Sequence, residues 1–363
     1  MMEVYPKEEV IGGRAMNQKA YGLAGRLGVL ALIVGIAGLL ASCGSPAQSR
    51  QPQPIKIDGS STVYPITNLM ASEFQAAQAK DNSKNKTKVE VAFSGTGGGF
   101  RKFCAGETDI SNASRPILKE EMELCNKNNV RYIELPIAFD ALTIAVNPQN
   151  NWAKDITVAE LKKIWEPASQ GKITKWNQVR ASWPDRPITL YGAGKDSGTF
   201  DYFTEATVGT LKASRSDYTG SEDDNVLVRG ISNDPNALGY FGFAYYEANP
   251  SQMKVLAVDN GKGAVLPNRQ TVEQAQYQPL SRPLFIYVNF QSAQNRLELR
   301  EFVDFYIRKA PTLVKSVGYV PLSAEAYHLD KVQFFNGEVG TAFDGKAQLN
   351  LTLAEVLRKK ATF

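Results

Sequence analysis

Tyr132 to Asn147 reads YIELPIAFDALTIAVN, 16 residues that are apolar almost throughout, with Pro136 and Asp140 as interruptions. An ordinary strand has about 5–6 residues, so this run is too long for one. A second extended run, RPLFIYVN, covers Arg282 to Asn289, and the chain beyond it is mostly helical in pattern. Two such runs are expected to cross between two lobes, and paired crossing strands are how a hinge closes lobes over a ligand. The predicted first lobe is therefore discontinuous, residues 55–138 and 288–363, with a second lobe at 139–287 between its parts.

Around these runs, short apolar strands alternate with amphipathic helices, the pattern of an α/β fold with two mixed sheets flanked by helices. Further strands are expected at IKIDG (55–59), KVEVAFSG (88–95), TDISNAS (108–114), PITLYGAG (187–194), LGYFGFAYY (238–246) and MKVLAV (253–258). Helices are expected over 65–79, where Ile66, Leu69, Met70 and Phe74 share a face, and over 157–165, opened by a Thr157…Glu160 capping box. A third spans Asn295 to Lys309. No internal repeat is visible.

The N-terminus sets the compartment. LGVLALIVGIAGLL, Leu27 to Leu40, is uncharged and comes after Lys19 and Arg26. It is too short for a permanent membrane span and fits a secretory leader. Leu40-Ala41-Ser42-Cys43 then resembles a bacterial lipoprotein signal, which makes residues 1–42 a signal peptide and Cys43 the lipidated first residue. Met16 is a second candidate start. Residues 43–54 are polar and Pro-containing and read as a flexible tether. Removing residues 1–42 from 363 leaves 321 residues with net charge +3. That is too mild a charge, without any Lys/Arg run, for a nucleic-acid binder.

Two cysteines remain, Cys104 and Cys125. In an oxidising compartment they are expected to pair, closing a loop of about 20 residues worth roughly 3 kcal/mol. Two cysteines and one histidine, His328, disfavour a zinc site. No metal and no cofactor are expected.

The chemistry lies in the turns. LYGAGKDSGTFDYF, Leu190 to Phe203, is a strand, a Gly-rich turn and a helix start near Gly198. IKIDGSSTVYPITNLM and VAFSGTGGGFRKF repeat that grammar, and TDISNASRPI ends a strand in Ser114-Arg115. Helix N-termini present unpaired N–H groups, and open α/β sheets bind ligands at the carboxyl ends of their strands. The implied ligand is small and anionic, held by hydroxyls, amides and one guanidinium. No Gly-Lys-Ser/Thr closes these loops, which disfavours a nucleotide.

DGSSTVYPI, SGTGGGFRKFCAGETDISNASRP, ITKWNQV and DSGTFDYF together resemble the periplasmic phosphate-binding proteins of high-affinity phosphate ABC transporters, nearest their cyanobacterial lipoprotein branch. The resemblance runs from Ile55 to at least Tyr246. It implies a two-lobed, type II periplasmic binding protein fold, inorganic phosphate as ligand, permease subunits as partners, a monomer, and a periplasmic location with a lipid anchor. Carried over by position, the ligand groups are Ser61 and Thr62, Thr96, and Ser197, Gly198 and Thr199. The enterobacterial pattern has a carboxylate acceptor where this chain has Ser114, and an Arg where it has Ala193. Arg115 is expected to supply the displaced guanidinium. Asp196 is the candidate proton acceptor, with Asp223 or Asp224 behind it, and Lys195 sits at the mouth.

Two alternatives stand beside this receptor. One is a secreted phosphoesterase with Ser197 or Ser61 as nucleophile, which lacks a nearby base, since His328 lies far along the chain. The other is a receptor for sulfate, molybdate or arsenate. A carboxylate acceptor separates protonated phosphate from sulfate by leaving itself unpaired or repelled against the latter.

Overall fold

The computed structural model describes residues 53–81, 86–346, 348–350, 352, 355–356 and 359. The expected signal peptide, Cys43 and most of the tether lie outside the described residues.

In chain order the strands are β1 (Ile55–Gly59), β2 (Val89–Val91), β3 (Ile110–Ala113), β4 (Tyr132–Val146), β5 (Asp155–Thr157), β6 (Thr189–Ala193), β7 (Thr219–Ser221), β8 (Ala237–Gly242), β9 (Lys254–Val255), β10 (Ala257–Asp259), β11 (Ala264–Val265) and β12 (Ser281–Asn289). The main sheet has the order β2-β1-β3-β12-β4-β8-β6-β7, with β9 also on β4, and a small sheet runs β11-β10-β5.

The long run at Tyr132 is one strand after all. It lies antiparallel to β12 over Tyr132–Ala141 and then to β8 over Leu142–Val146, so the two halves of the sheet share it. Pro136 does not break it, because the register shifts there: Leu284 faces Ala138 and Phe285 faces Pro136, leaving Ile137 as an extra residue. A bulge is where a strand tolerates a residue without an N–H. Asp140 does not break it either, since it faces Arg282 across the ladder.

The parallel pairs β1–β2, β1–β3, β6–β7 and β6–β8 need helical crossovers. These come from α1 (Tyr64–Lys80), α2 (Thr96–Cys104), α6 (Gly198–Thr207) and α7 (Asp224–Asn233), while α3 (Lys119–Lys127), α4 (Val158–Trp165), α5 (Trp176–Val179) and α8 (Phe243–Ala248) lie in the other connections. Helix α1 buries Ile66, Met70 and Phe74, the last edge-on to Phe302 and Phe305 of the helix Leu297–Ser316, while Leu69 is half-buried. Helix α4 opens on the expected capping box: Glu160 N–H donates to Thr157 Oγ1 at 3.0 Å and Thr157 N–H to Glu160 Oε2 at 2.9 Å.

Several expected boundaries move, the run at 88–95 keeping only Val89–Val91 as strand. The strand expected to reach Tyr246 stops at Gly242, where α8 begins; MKVLAV divides between β9 and β10; and the third helix starts at Leu297 and runs through Pro311 to Ser316. Cys104, ending α2, is bonded to Cys125 in α3, with their Cα atoms 4.3 Å apart.

Candidate functional site

Each turn is built by a local steric demand. Gly59 has φ +137°, and a Cβ there would lie 2.1 Å from the Asn112 carbonyl oxygen. Only glycine lets β1 turn into Ser60-Ser61-Thr62 so close to β3. Gly95, at φ +78°, opens α2 in the same way. After β6, Ser197 caps α6 by accepting from Thr199 N–H at 3.1 Å. The N-termini of α1, α2 and α6 thereby carry the predicted residues, with their positive dipole ends.

Long-range packing then brings the turns together. Thr62 and Thr199 hydroxyls are 3.2 Å apart although 137 residues separate them. Thr96 and Ser114 hydroxyls are also 3.2 Å apart. A Cβ on Gly198 would fall 2.5 Å from both Ser114 Oγ and Thr96 Oγ1, so α6 begins directly against that pair. Ser61, Thr62, Thr96, Ser114, Ser197 and Thr199 are each at most 4% exposed. Seven of the eight predicted ligand residues thus form one buried cluster.

Arg115 is the exception, with its donors turned to other partners. Its Nη atoms donate to both Glu121 oxygens at 2.8 Å and to the Pro116 carbonyl at 3.0 Å, and its Nε donates to Asp201 at 2.6 Å. Burial works against its charge, but Glu121 and Asp201 together hold it firmly protonated. The guanidinium among the hydroxyls belongs to Arg282 on β12. Its Nη2 donates to Thr199 Oγ1 at 2.9 Å, Asp140 Oδ2 at 3.0 Å and Thr62 Oγ1 at 3.3 Å. Among the described residues its Nη1 is buried without a hydrogen-bond partner, an unused donor pair on a guanidinium that already bridges two hydroxyl-bearing turns.

Asp196, the candidate proton acceptor, is also engaged outside the cluster. Both its oxygens accept from Arg101 at the surface, at 2.8 and 2.7 Å, and those hydrogen bonds hold its pKa below the usual carboxylate range. Its backbone carbonyl accepts from Gly97 N–H at 2.9 Å, so Asp196 fastens α2 to the α6 turn. Lys195 is exposed. Asp223 caps α7 through Asn225 N–H. Asp224 is the buried carboxyl of that pair: it accepts from Ser61 Oγ at 3.0 Å, and burial pushes its pKa up to about 7 against the Ser61 hydrogen bond and the Arg282 charge.

Arg282 and Asp140 were missed as site residues, yet they carried a signal. Both are charged residues inside long apolar runs, and a charge buried in a strand must be paired. Among the described residues no group of three or more His, Cys, Asp or Glu is placed to hold a metal ion. His328 is exposed on the helix Ala324–Asn336, whereas Ser197 is buried.

The family model of a PBP superfamily domain matches residues 44–310. The chain belongs to the PBP superfamily. Protein SphX of Synechocystis sp. is 56% identical over 331 residues, covering 91% of this chain and 97% of that protein. The phosphate-binding protein PstS of Staphylococcus saprophyticus is 35% identical over 300 residues, covering 81% of this chain and 89% of that protein. The crystal structure of a possible phosphate binding protein from Planctomyces limnophilus is 43% identical with a TM-score of 0.57, covering 79% of this chain and 99% of that one. The superfamily's two-lobed α/β architecture accounts for a sheet whose halves share β4.

Proposed function

We propose that this member of the PBP superfamily is a receptor that encloses inorganic phosphate between two lobes, residues 55–138 with 288–363 and residues 139–287, and delivers it to an ABC permease. The observation that carries this reading is the buried Arg282 guanidinium bridging Thr62 and Thr199, which follow strands β1 and β6 in the two halves of the sheet. Around it, Ser61, Thr96, Ser114, Ser197 and the start of α6 at Gly198 supply neutral donors. Each hydrogen bond to a charged ligand contributes about 1.5–3 kcal/mol. Several of them, with one guanidinium neutralised by Asp140, hold a small oxyanion without a metal. The phosphate-binding protein PstS, matched over most of the chain, supports phosphate as the anion.

The receptor acts by binding alone, as the family does; Ser197 and Ser61 bond to Thr199 N–H and Asp224, and neither has an imidazole for a base. Outside the described residues, Cys43 anchors the chain by lipid on the periplasmic side of a membrane. Cys43→Ser is expected to release the protein from the membrane fraction, and retention there would contradict the anchor.

The test of function is titration calorimetry of phosphate-stripped protein against phosphate, arsenate, sulfate and molybdate. Phosphate is expected to bind at micromolar concentration or tighter, well ahead of sulfate. Sulfate binding as strongly as phosphate, or neither binding, would overturn the reading.

A further inference from the structure

Resting on the oxyanion site just proposed, we infer that capture of the anion is accompanied by uptake of one proton from solvent onto the Asp224 carboxyl, with Ser61 as the link between that carboxyl and the site. The geometry sets this up. Asp224 is 2% exposed and opens α7, while Ser61 lies in the β1–α1 turn beside Thr62; the hydrogen bond between them, at 3.0 Å, joins residues 163 apart in sequence. Ser61 Oγ has one hydrogen. While Asp224 is ionised, that hydrogen points at Asp224, and Ser61 offers only lone pairs elsewhere.

Asp224 is the raised carboxyl bonded to a hydroxyl of the cluster; Glu222, also raised to about 7 by burial, accepts from Asp196 N–H instead. Arg282 is already balanced by Asp140, 3.0 Å away, so the pair is neutral before any anion arrives. Arg282 is the leading cation acting on Asp224; Asp140 and Asp223 act on it as like charges. It also interacts with the Tyr240, Tyr245 and Tyr319 hydroxyls, all held protonated well above neutrality, chiefly by burial. An oxyanion enclosed against this set brings one or two further negative charges close to a buried carboxylate. The like-charge repulsion is relieved when Asp224 binds a proton. Ser61 can then turn its hydrogen from the neutral carboxyl to the anion, becoming a donor to it. No bond in the anion breaks; the proton comes from solvent, returns there on release, and the overall charge brought into the site falls by one.

The experiment is calorimetry of inorganic phosphate binding at about pH 8 in buffers of different ionisation enthalpy, which counts protons taken up per anion bound. Wild-type protein is expected to take up close to one proton, and its affinity to fall toward tenfold per pH unit above neutrality. Asp224→Asn is expected to bind phosphate with uptake near zero and a flat affinity over the same range. Asp224→Glu restores part of the uptake, a readout that a purely structural role would not move. Equal uptake in wild type and Asp224→Asn would place the proton on the anion, and no uptake in wild type would remove the linkage; either result overturns the inference. Failure of wild-type protein to bind phosphate at all would instead overturn the function on which it rests.

Discussion

Arg282 and Asp140 are direct cross-strand partners in the β12–β4 ladder, with guanidinium and carboxylate 3.0 Å apart and both side chains wholly buried. The pair sits where β4 passes from β12 to β8, at the seam between the two halves of the sheet. An uncompensated charge there costs several kcal/mol, so removing either partner strands the other.

Arg282→Lys keeps the charge but loses the planar fork that serves Asp140, Thr62 and Thr199 together. Phosphate affinity is expected to fall by about 1.5–3 kcal/mol, roughly tenfold to a hundredfold, in titration calorimetry on folded protein. Unchanged affinity would take Arg282 out of the site.

Arg115 joins Glu121 in α3 to Asp201 in α6, with its side chain and that of Asp201 at most 2% exposed. Arg115→Ala leaves two buried carboxylates without their cation, an expected loss of about 3–5 kcal/mol of stability in urea denaturation. Arg115→Lys is expected to lower the midpoint while weakening phosphate binding less than Arg282→Lys does. The reverse order of affinities would return Arg115 to the ligand.

Gly198→Ala inserts a methyl into the space of the Ser114 and Thr96 hydroxyls. Overpacking of this kind costs about 1–3 kcal/mol, and here it falls on closure of the hydroxyl cluster. Phosphate binding is expected to weaken at least tenfold with a smaller change in unfolding midpoint. A variant that binds like wild type would mean the cluster is not where the anion goes.

Glu134 links β4 to the C-terminal part of the chain, accepting from the Tyr287 and Thr341 hydroxyls at 2.6 Å and from Ala342 N–H at 2.8 Å. Burial pushes its pKa up to about 7 against those three donors. The unfolded value is about 4.3, so the folded chain binds the extra proton between the two. That contribution is complete below about pH 4 and is lost as pH rises through 7, up to about 4 kcal/mol in all. Asp224 and Glu222, also raised to about 7 by burial, slope the same way. Denaturation of wild type and Glu134→Gln at pH 5 and pH 8 isolates the Glu134 share: the wild type is expected to lose more stability on going to pH 8 than the variant, and parallel losses would refute the assignment.

Much of the fold is legible in short segments. The Thr157–Glu160 box, the Ser197 cap, and the glycines at 59 and 95 act within a few residues of backbone, where hydrogen-bonding and steric rules operate without the rest of the chain. The strand–turn–helix grammar comes from them, and with it the hydroxyls of Ser61, Thr62, Thr96, Ser114, Ser197 and Thr199. Pro136 misled because a bulge absorbs it, and a bulge depends on the partner strand. The chain order alone therefore determined which turns carry anion-binding groups and that two long runs tie the halves together. Only the tertiary structure decided which charge meets which. Arg115 and Arg282 are both arginines next to proline, and nothing local distinguishes them; the first is claimed by Glu121 and Asp201, the second by an aspartate 142 residues away. Ion pairing is long-ranged and satisfied by whichever partner the packed sheets bring within about 3 Å, so it is the property of this protein that local sequence encodes least.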